Sequence, residues 1–155
     1  MNIIRKVGLT ISACVGFLLG TIFTTINMIK TGEVVPIGIL ISALSSMIIS
    51  GVAGLVIPMR TIADTLAQKF HINPAKQRFL YDLVQGVVGD MIFTPILCTF
   101  FIIKNVGIHN PMFFRIWGSN LIVDFLIALP LTMIFVPLFK KFAAAIFHIS
   151  ADSLT

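Results

Sequence analysis

Residues Phe79–Ile103 read FLYDLVQGVVGDMIFTPILCTFFII, an apolar stretch with an acidic residue, Asp90, near its centre. A helix of this length can cross the hydrocarbon core of a bilayer, since roughly 30 Å takes about 20 residues at 1.5 Å per residue. Three further stretches have the same character, Val7–Ile29, Pro36–Met59 and Ile116–Leu138. The sequence therefore predicts four transmembrane helices.

Composition supports the same class. Of the 155 residues, 57% are hydrophobic and only 11% are charged, whereas soluble domains have about 25% charged residues. The short segments of alternating polarity that are typical of membrane β-strands are absent from the sequence. The first stretch follows Arg5 and Lys6 as a signal peptide would, but it is too long and lacks a convincing small-x-small cleavage site. We expect an all-α integral membrane protein whose first helix is retained.

The basic residues predict an orientation. Three of the eleven lie at one end of the predicted helices, namely Lys30, Lys104 and Arg115, and the other eight lie at the opposite end. The positive-inside rule then places both termini and the central loop in the cytoplasm. The net charge of +5 is explained by this orientation and calls for no nucleic-acid partner.

Short matches in the same order relate the two halves of the chain and predict a tandem duplication. The matched segments are Gly16-x5-Ile22-Phe23-Thr24 with Gly86-x5-Ile92-Phe93-Thr94, Val56-Ile57-Pro58 with Phe135-Val136-Pro137, and Phe70-His71-Ile72 with Phe147-His148-Ile149. We expect one helical hairpin repeat in residues 1–72 and a second in residues 73–155. Both hairpins start on the same side, so the repeats are parallel.

The connections carry local signals. Gly32 and Gly107 are expected to end helices in a left-handed conformation. Asn73-Pro74 and Asn110-Pro111 each read as an N-cap followed by a first helical residue, which would start the third and fourth helices. Arg60–Gln77 is expected to continue the second helix out of the membrane.

The second half resembles a known family. A polar first helix, a short Gly-containing turn, a Trp early in the next helix and a Pro before a basic end are features of the family called domain of unknown function 2798. The residues that carry the resemblance are Phe93-Thr94, Gly107, Trp117-Gly118-Ser119-Asn120 and Val136-Pro137-Leu138-Phe139-Lys140-Lys141. The resemblance implies two tandem copies in a small protein of the bacterial inner membrane, and it implies no particular activity.

The architecture is also similar to that of the proteobacterial antimicrobial compound efflux transporters, four-helix proteins built from two helix pairs. That family has an Arg-x-x-His motif, whereas here Arg5 is followed by Gly8 and Arg78 by Tyr81. The similarity therefore extends to the architecture and to an intramembrane carboxylate as the coupling group.

Polar side chains recur on one face of each of the last two helices. Asp82, Gly86 and Asp90 follow four-residue steps, and the glycines permit close helix approach. Intramembrane ionisable residues usually mark proton or ion pathways. The candidate coupling and substrate-binding residues are Asp82, Gln85, Asp90, Trp117, Asn120 and Asp124.

Both of these helices also contain a proline. Pro95 cannot donate to the carbonyl of Met91, nor Pro130 to that of Leu126. Each freed carbonyl would lie within a turn of an aspartate, and broken helices of this kind can coordinate cations or admit water. We therefore expect a helix interruption near Asp90 and another near Asp124.

Other roles for these residues stay open. Asp90 and Asp124 could be neutral, hydrogen-bonded groups that only hold helices together, because no Lys or Arg is expected inside the membrane as a counter-ion. Asp82 could be a solvated interface residue. Trp117 could belong to an interfacial aromatic belt or line an entrance beside Asn120.

No catalytic motif, cofactor signature or metal-ligand spacing is recognisable, and we expect no enzyme, cofactor or metal site. The sequence favours a small transporter, coupled to protons or cations through intramembrane carboxylates and exporting a small hydrophobic or cationic compound. The alternative is a non-transporting membrane partner or assembly subunit. The expected partners are the lipid bilayer, a small-molecule or ion substrate and a second copy of the chain, because four helices alone rarely enclose a pathway.

Overall fold

The structure is a computed structural model that describes residues 3–73 and 76–148. These residues form α-helices and their connections, and the expected all-α class is confirmed. The helices are α1 (Ile3–Thr31), α2 (Pro36–Val56), α3 (Met59–Lys69), α4 (Arg78–Val106) and α5 (Phe113–Ile146). All but α3 are long and apolar enough to cross a membrane, so this is a multi-pass membrane protein.

The four long helices form a ring in the order α1, α2, α4, α5, and α3 packs on α4. The end of the bundle that carries α3 is called the α3 end, and the end with the α1–α2 and α4–α5 connections is called the turn end. The middle is filled by a dry cluster that we call the central layer. It consists of Val15, Leu19, Phe23, Phe93, Leu97, Phe101 and Ala128.

Helices α1 and α2 meet along a seam of small residues. A Cβ atom added to Gly16 would collide with the carbonyl of Ser46 and the side chain of Ser50, and one added to Gly20 would collide with the side chain of Ser46. Ser12 faces Gly54 in the same way. Small residues at four-residue steps let helix backbones approach closely, which is a main source of helix association in lipid. The seam makes the first hairpin a tightly packed unit.

The end of the second helix differs from the expectation. The segment after Pro58 was expected to continue this helix, but α2 ends at Val56 and α3 is a separate helix. Pro58 has no N–H to donate, and Ile57 before it takes an extended conformation with φ −95° and ψ 120°. The chain therefore bends at Ile57-Pro58 before α3 begins.

Helix α3 lies against α4 through its small face. Ala63 and Ala67 are buried, and the hydroxyl of Tyr81 donates to the carboxylate of Asp64. Phe70, at the C-terminal end of α3, is exposed. The contacts that hold the helix to the bundle include this hydrogen bond, the two alanines and Met59, which packs against the central layer.

The expected helix starts are wrong by a few residues. Helix α4 begins after Gln77, and the expected N-cap pair Asn73-Pro74 lies upstream of it, with Pro74 outside the described residues. Helix α5 begins after Met112, whose N–H donates to Asn110 Oδ1 at 2.8 Å. Asn110 thus shapes the turn before α5, because its side chain bonds two residues on and competes with helix formation.

Two pairs of connections have matching backbone conformations. Gly32 and Gly107 have φ of 80° and 82°, so the expected positive φ is confirmed, although the ψ of 150° places Gly107 outside the left-handed helical region. His71 and His148 follow α3 and α5 with φ of 55° and 52°. The two Phe-His pairs therefore end their helices in the same way, and the duplication itself stays a prediction.

The seam leads to a stability prediction. Gly16→Ala should lower the free energy of unfolding by about 1–3 kcal/mol, because the new methyl group meets the α2 backbone. Gly118→Ala is the matched control, since nothing lies within 4 Å of a Cβ at Gly118. Unfolding of both variants in mixed detergent micelles measures the difference. Equal stability of the two variants would contradict the tight packing of α1 on α2.

Candidate functional site

Asp90 is the most deeply buried acidic residue in the described part of the chain. Its side chain has no exposed surface. The hydroxyl of Thr94, one turn along α4, donates to Asp90 Oδ1 at 3.1 Å. The second oxygen, Oδ2, has no hydrogen-bond partner among the described residues. A buried polar atom without a partner is costly, so Asp90 is held in a position that packing alone does not explain.

Two cavities lie on either side of the central layer. The α3-end cavity, of about 180 Å³, reaches the layer at Val15 and Phe93. The turn-end cavity, of about 550 Å³, reaches it at Phe101. Leu19 and Leu97 line neither cavity and are fully buried between them. The layer therefore separates the two cavities with apolar side chains.

Asp90 belongs to the α4 turns that cross this layer. Gly86 and Gly89 line the α3-end cavity, Cys98 lines the turn-end cavity, and Asp90 lines neither. One helical turn, about 6 Å, separates Gly86 from Asp90 along α4, and two turns, about 12 Å, separate Asp90 from Cys98. The α3-end cavity thus extends along α4 past the level of Asp90, because Gly89 and Phe93 both line it, while the carboxyl group itself is buried outside its wall.

A polar network closes the α3 end. Lys140 Nζ donates to Asp82 Oδ1 at 2.7 Å and to Gln85 Oε1 at 2.5 Å. Gln85 also bonds to Tyr81, whose hydroxyl reaches Asp64 on α3. Three helices, α3, α4 and α5, are joined by these contacts. The network also positions Lys140 and Gln85 in the wall of the α3-end cavity.

The network gives Asp82 a charged partner that the sequence analysis did not identify. Lys140 lies within α5 and forms an ion pair with Asp82, and both side chains are largely shielded from solvent. The pair lies at the α3 end, where the sequence places Asp82 near the membrane interface.

The turn-end cavity holds Asn120 and Asp124. The thiol of Cys98 is within hydrogen-bonding reach of the Asp124 carboxylate, and Lys30 is close enough to act on it electrostatically. Lys104 Nζ donates to Ser42 Oγ at 3.1 Å in the same cavity wall. Asp124 thus has cationic neighbours at the mouth of its cavity, which the expectation of an isolated acid did not include.

Trp117 lines neither cavity. Its Nε1 donates to Thr99 Oγ1 at 2.9 Å, and the Thr99 hydroxyl donates in turn to the carbonyl of Pro95 at 2.7 Å. The residue therefore links α5 to α4 near the turn end, and its role beside Asn120 stays a prediction.

The expected helix interruptions are not found. Both α4 and α5 run without a break through Pro95 and Pro130. A proline removes one backbone hydrogen bond, and neighbouring helices and Ser or Thr side chains make this tolerable in membrane helices. The carbonyls of Met91 and Leu126 consequently give no ligand set comparable to that of a broken helix.

The six candidate residues thus fall into separate places. Asp82 and Gln85 belong to the α3-end network, Asp90 to the central layer, and Asn120 and Asp124 to the turn-end cavity. Among the residues that the structure describes, no three His, Cys, Asp or Glu side chains come together to hold a metal ion. Comparison with protein-family models, curated proteins and solved structures gives no match to this chain.

The network gives a second prediction. Lys140→Met should lower the free energy of unfolding by about 1.5–3 kcal/mol, because Asp82 and Gln85 lose a charged donor. Lys141→Met, at the exposed neighbouring position, is the control and should change little. Adding Asp82→Asn to Lys140→Met should recover part of the loss, since the unpaired carboxylate is then removed. A double variant as unstable as the sum of the single variants would contradict the ion pair.

Proposed function

We propose that this protein is a small membrane transporter, coupled to protons or cations through Asp90, that exports a small hydrophobic or cationic compound. The observation that carries the proposal is the carboxyl of Asp90, fully buried beside the α3-end cavity, with one oxygen that has no partner among the described residues. A carboxyl in the middle of a membrane helix costs about 2.5–3.5 kcal/mol on insertion scales. A carboxyl with a purely structural role is expected to have hydrogen-bond partners on both oxygens. A carboxyl that exchanges a proton or a cation needs one oxygen without a protein partner.

The layer supplies the barrier that a coupled transporter requires. When protonated, Asp90 is neutral and can stay buried beside the central layer, where its Oδ1 accepts a hydrogen bond from the hydroxyl of Thr94. When the proton leaves, the charged carboxylate needs water or a cation, and the nearest cavity is the α3-end cavity, which the neighbouring residue Gly89 lines. A change in the charge of Asp90 therefore favours a shift of α4 that exposes it to one cavity.

The two hairpins differ in how easily they can move. The α1–α2 seam leaves no room for a Cβ at Gly16 or Gly20. On α4, a Cβ at Gly86 would make only ordinary contacts with Met133 and Thr132, and one at Gly89 would touch nothing within 4 Å. We take the first hairpin as the fixed part and the second as the part that shifts.

The proposed duplication gives Asp90 a counterpart. At the offset that matches Gly16 with Gly86, Asp90 corresponds to Gly20, and Thr94 to Thr24. Gly20 packs directly on α2 in the tight seam. In this interpretation, Asp90 occupies in the second hairpin the position that Gly20 occupies in the first. The second hairpin therefore lacks the tight seam at the position of its carboxyl.

The orientation and location are also proposals. The distribution of Lys and Arg supports an α3 end that faces the cytoplasm. The resemblance to domain of unknown function 2798 supports the bacterial inner membrane. A homodimer would supply the further helices that four spans lack for an enclosed pathway.

The orientation is testable with reporter fusions. A reporter of cytoplasmic location should be active when fused at Thr155 and inactive when inserted near Gly107, and an external reporter should give the reverse pattern. An external reporter that is active at Thr155 would rule out this topology.

The coupling role is testable by flux. In liposomes that contain only this protein, the wild type should dissipate a proton gradient when a candidate substrate is supplied, measured with an enclosed pH dye. Asp90→Asn keeps the volume and hydrogen-bonding capacity but removes the titration, so it should insert and fold normally and reduce flux at least tenfold. Glu33→Gln, in the exposed α1–α2 connection, is the control and should retain flux.

Two results would overturn the proposal. Full flux in Asp90→Asn would make the residue structural, as would an equally active and more stable Asp90→Leu. If the wild type never exceeds empty liposomes with any candidate substrate, the alternative of a non-transporting partner or assembly subunit is favoured.

A further inference from the structure

The turn-end cavity has features of a built polar site. Its wall is largely apolar, and all four long helices also contribute polar side chains to it. Thr24 is 8% exposed, lines the cavity, and its Oγ1 has no hydrogen-bond partner among the described residues. A buried hydroxyl without a partner beside a cavity of about 550 Å³ marks a position that a bound molecule can satisfy.

The charges in this cavity are arranged along its depth. Asp124 lies eleven residues after the start of α5, about 16 Å along the helix from the turn end. Lys30 and Lys104 lie within two residues of the turn-end termini of α1 and α4. The Nζ of Lys104 points across the wall to Ser42. The floor is thus negative and the rim is positive.

This arrangement fits a ligand with two opposite charges. A simple cation attracted to Asp124 would have to pass two lysines and stay near them, and a simple anion held by the lysines would face a carboxylate. Lys30 is exposed, so water and salt weaken its hold on Asp124. A molecule with its ammonium group at Asp124 and its anionic group between the lysines meets favourable charges at both ends.

We propose that the turn-end cavity binds a small zwitterion, with its ammonium group on Asp124 and Asn120 and its anionic group on Lys30 and Lys104. The unpartnered hydroxyl of Thr24 lies where it can bond to the ammonium end. Amino acids and the ethanolamine headgroup of lipids share this chemistry. That the molecule is cargo rests on the proposed transport function, whereas the binding itself does not.

The test compares probes that differ only in charge. Binding of 6-aminohexanoate, hexylamine and hexanoate to the purified protein in a nonionic detergent is measured by calorimetry. The zwitterion should bind at least tenfold more tightly than either singly charged analogue. Equal affinity for hexylamine or hexanoate, or no binding of 6-aminohexanoate, would overturn the proposal. Phosphoethanolamine tests whether the natural ligand is a lipid headgroup. If it binds tenfold more tightly than 6-aminohexanoate, a lipid headgroup is identified as the ligand.

Matched variants test which residues bind the ammonium end of the ligand and which bind its anionic end. Asp124→Asn should reduce the affinity for 6-aminohexanoate at least tenfold. The affinity for hexanoate should stay the same or increase. Lys104→Gln should weaken the binding of 6-aminohexanoate and of hexanoate alike. Lys141→Gln, at the opposite end of the bundle, should bind like the wild type. Unchanged binding in both Asp124→Asn and Lys104→Gln would exclude this site, and melting temperatures show that each variant is folded.

The outcome is separable from that of the flux experiment. Asp90 lies outside the cavity wall, so Asp90→Asn should keep the zwitterion affinity while it loses flux. Binding without flux in the wild type would leave the site intact and reject transport. Flux in the wild type without zwitterion binding would reject the site and leave the transport proposal intact.

Discussion

Hydrocarbon offers no hydrogen bonds, and this constraint governs where the polar groups of this protein are. The backbone is satisfied by helix formation. Many Ser and Thr hydroxyls bond to a carbonyl of their own helix, as Thr25 does to Thr21 at 2.7 Å and Ser46 to Ser42 at 2.8 Å. Against this background, three buried atoms have no partner among the described residues, namely Oδ2 of Asp90 and the hydroxyls of Thr24 and Ser50. Ser50 lies in the α1–α2 seam, Thr24 lines the turn-end cavity, and Asp90 lies beside the central layer.

The same constraint explains why the hairpins are held differently. Apolar side chains gain little from meeting each other in lipid, so α1 and α2 associate through close backbone approach. The second hairpin has no equivalent seam at Gly86 and Gly89 and is joined instead by polar contacts at its ends. Lys140 binds Asp82 at the α3 end, and Trp117 binds Thr99 near the turn end. Between these two ends, α4 and α5 meet through the apolar side chains of the central layer, such as Leu97 and Ala128.

Sequence reasoning recovered the fold class and the four spans because length and hydropathy are local properties. It did not recover the Lys140–Asp82 pair, because the two residues lie 58 positions apart in the sequence and only the packing of α4 on α5 brings them together. It missed the α1–α2 seam, although small residues recur every four positions from Gly8 to Thr24 and from Gly38 to Gly54. The expected helix breaks failed because one lost hydrogen bond at a proline does not outweigh the rest of a helix.

The two intramembrane acids therefore have environments that suit different tasks. Asp124 lies in a cavity with Asn120 and cationic neighbours, where its charge can be matched and where a ligand can reach it. Asp90 has a single hydroxyl donor among the described residues and is fully buried, so its surroundings disfavour the charged state. In the transporter that we propose, Asp90 is therefore the group that couples a proton or cation to movement. Asp124, which lines a cavity, is the group that selects what is carried.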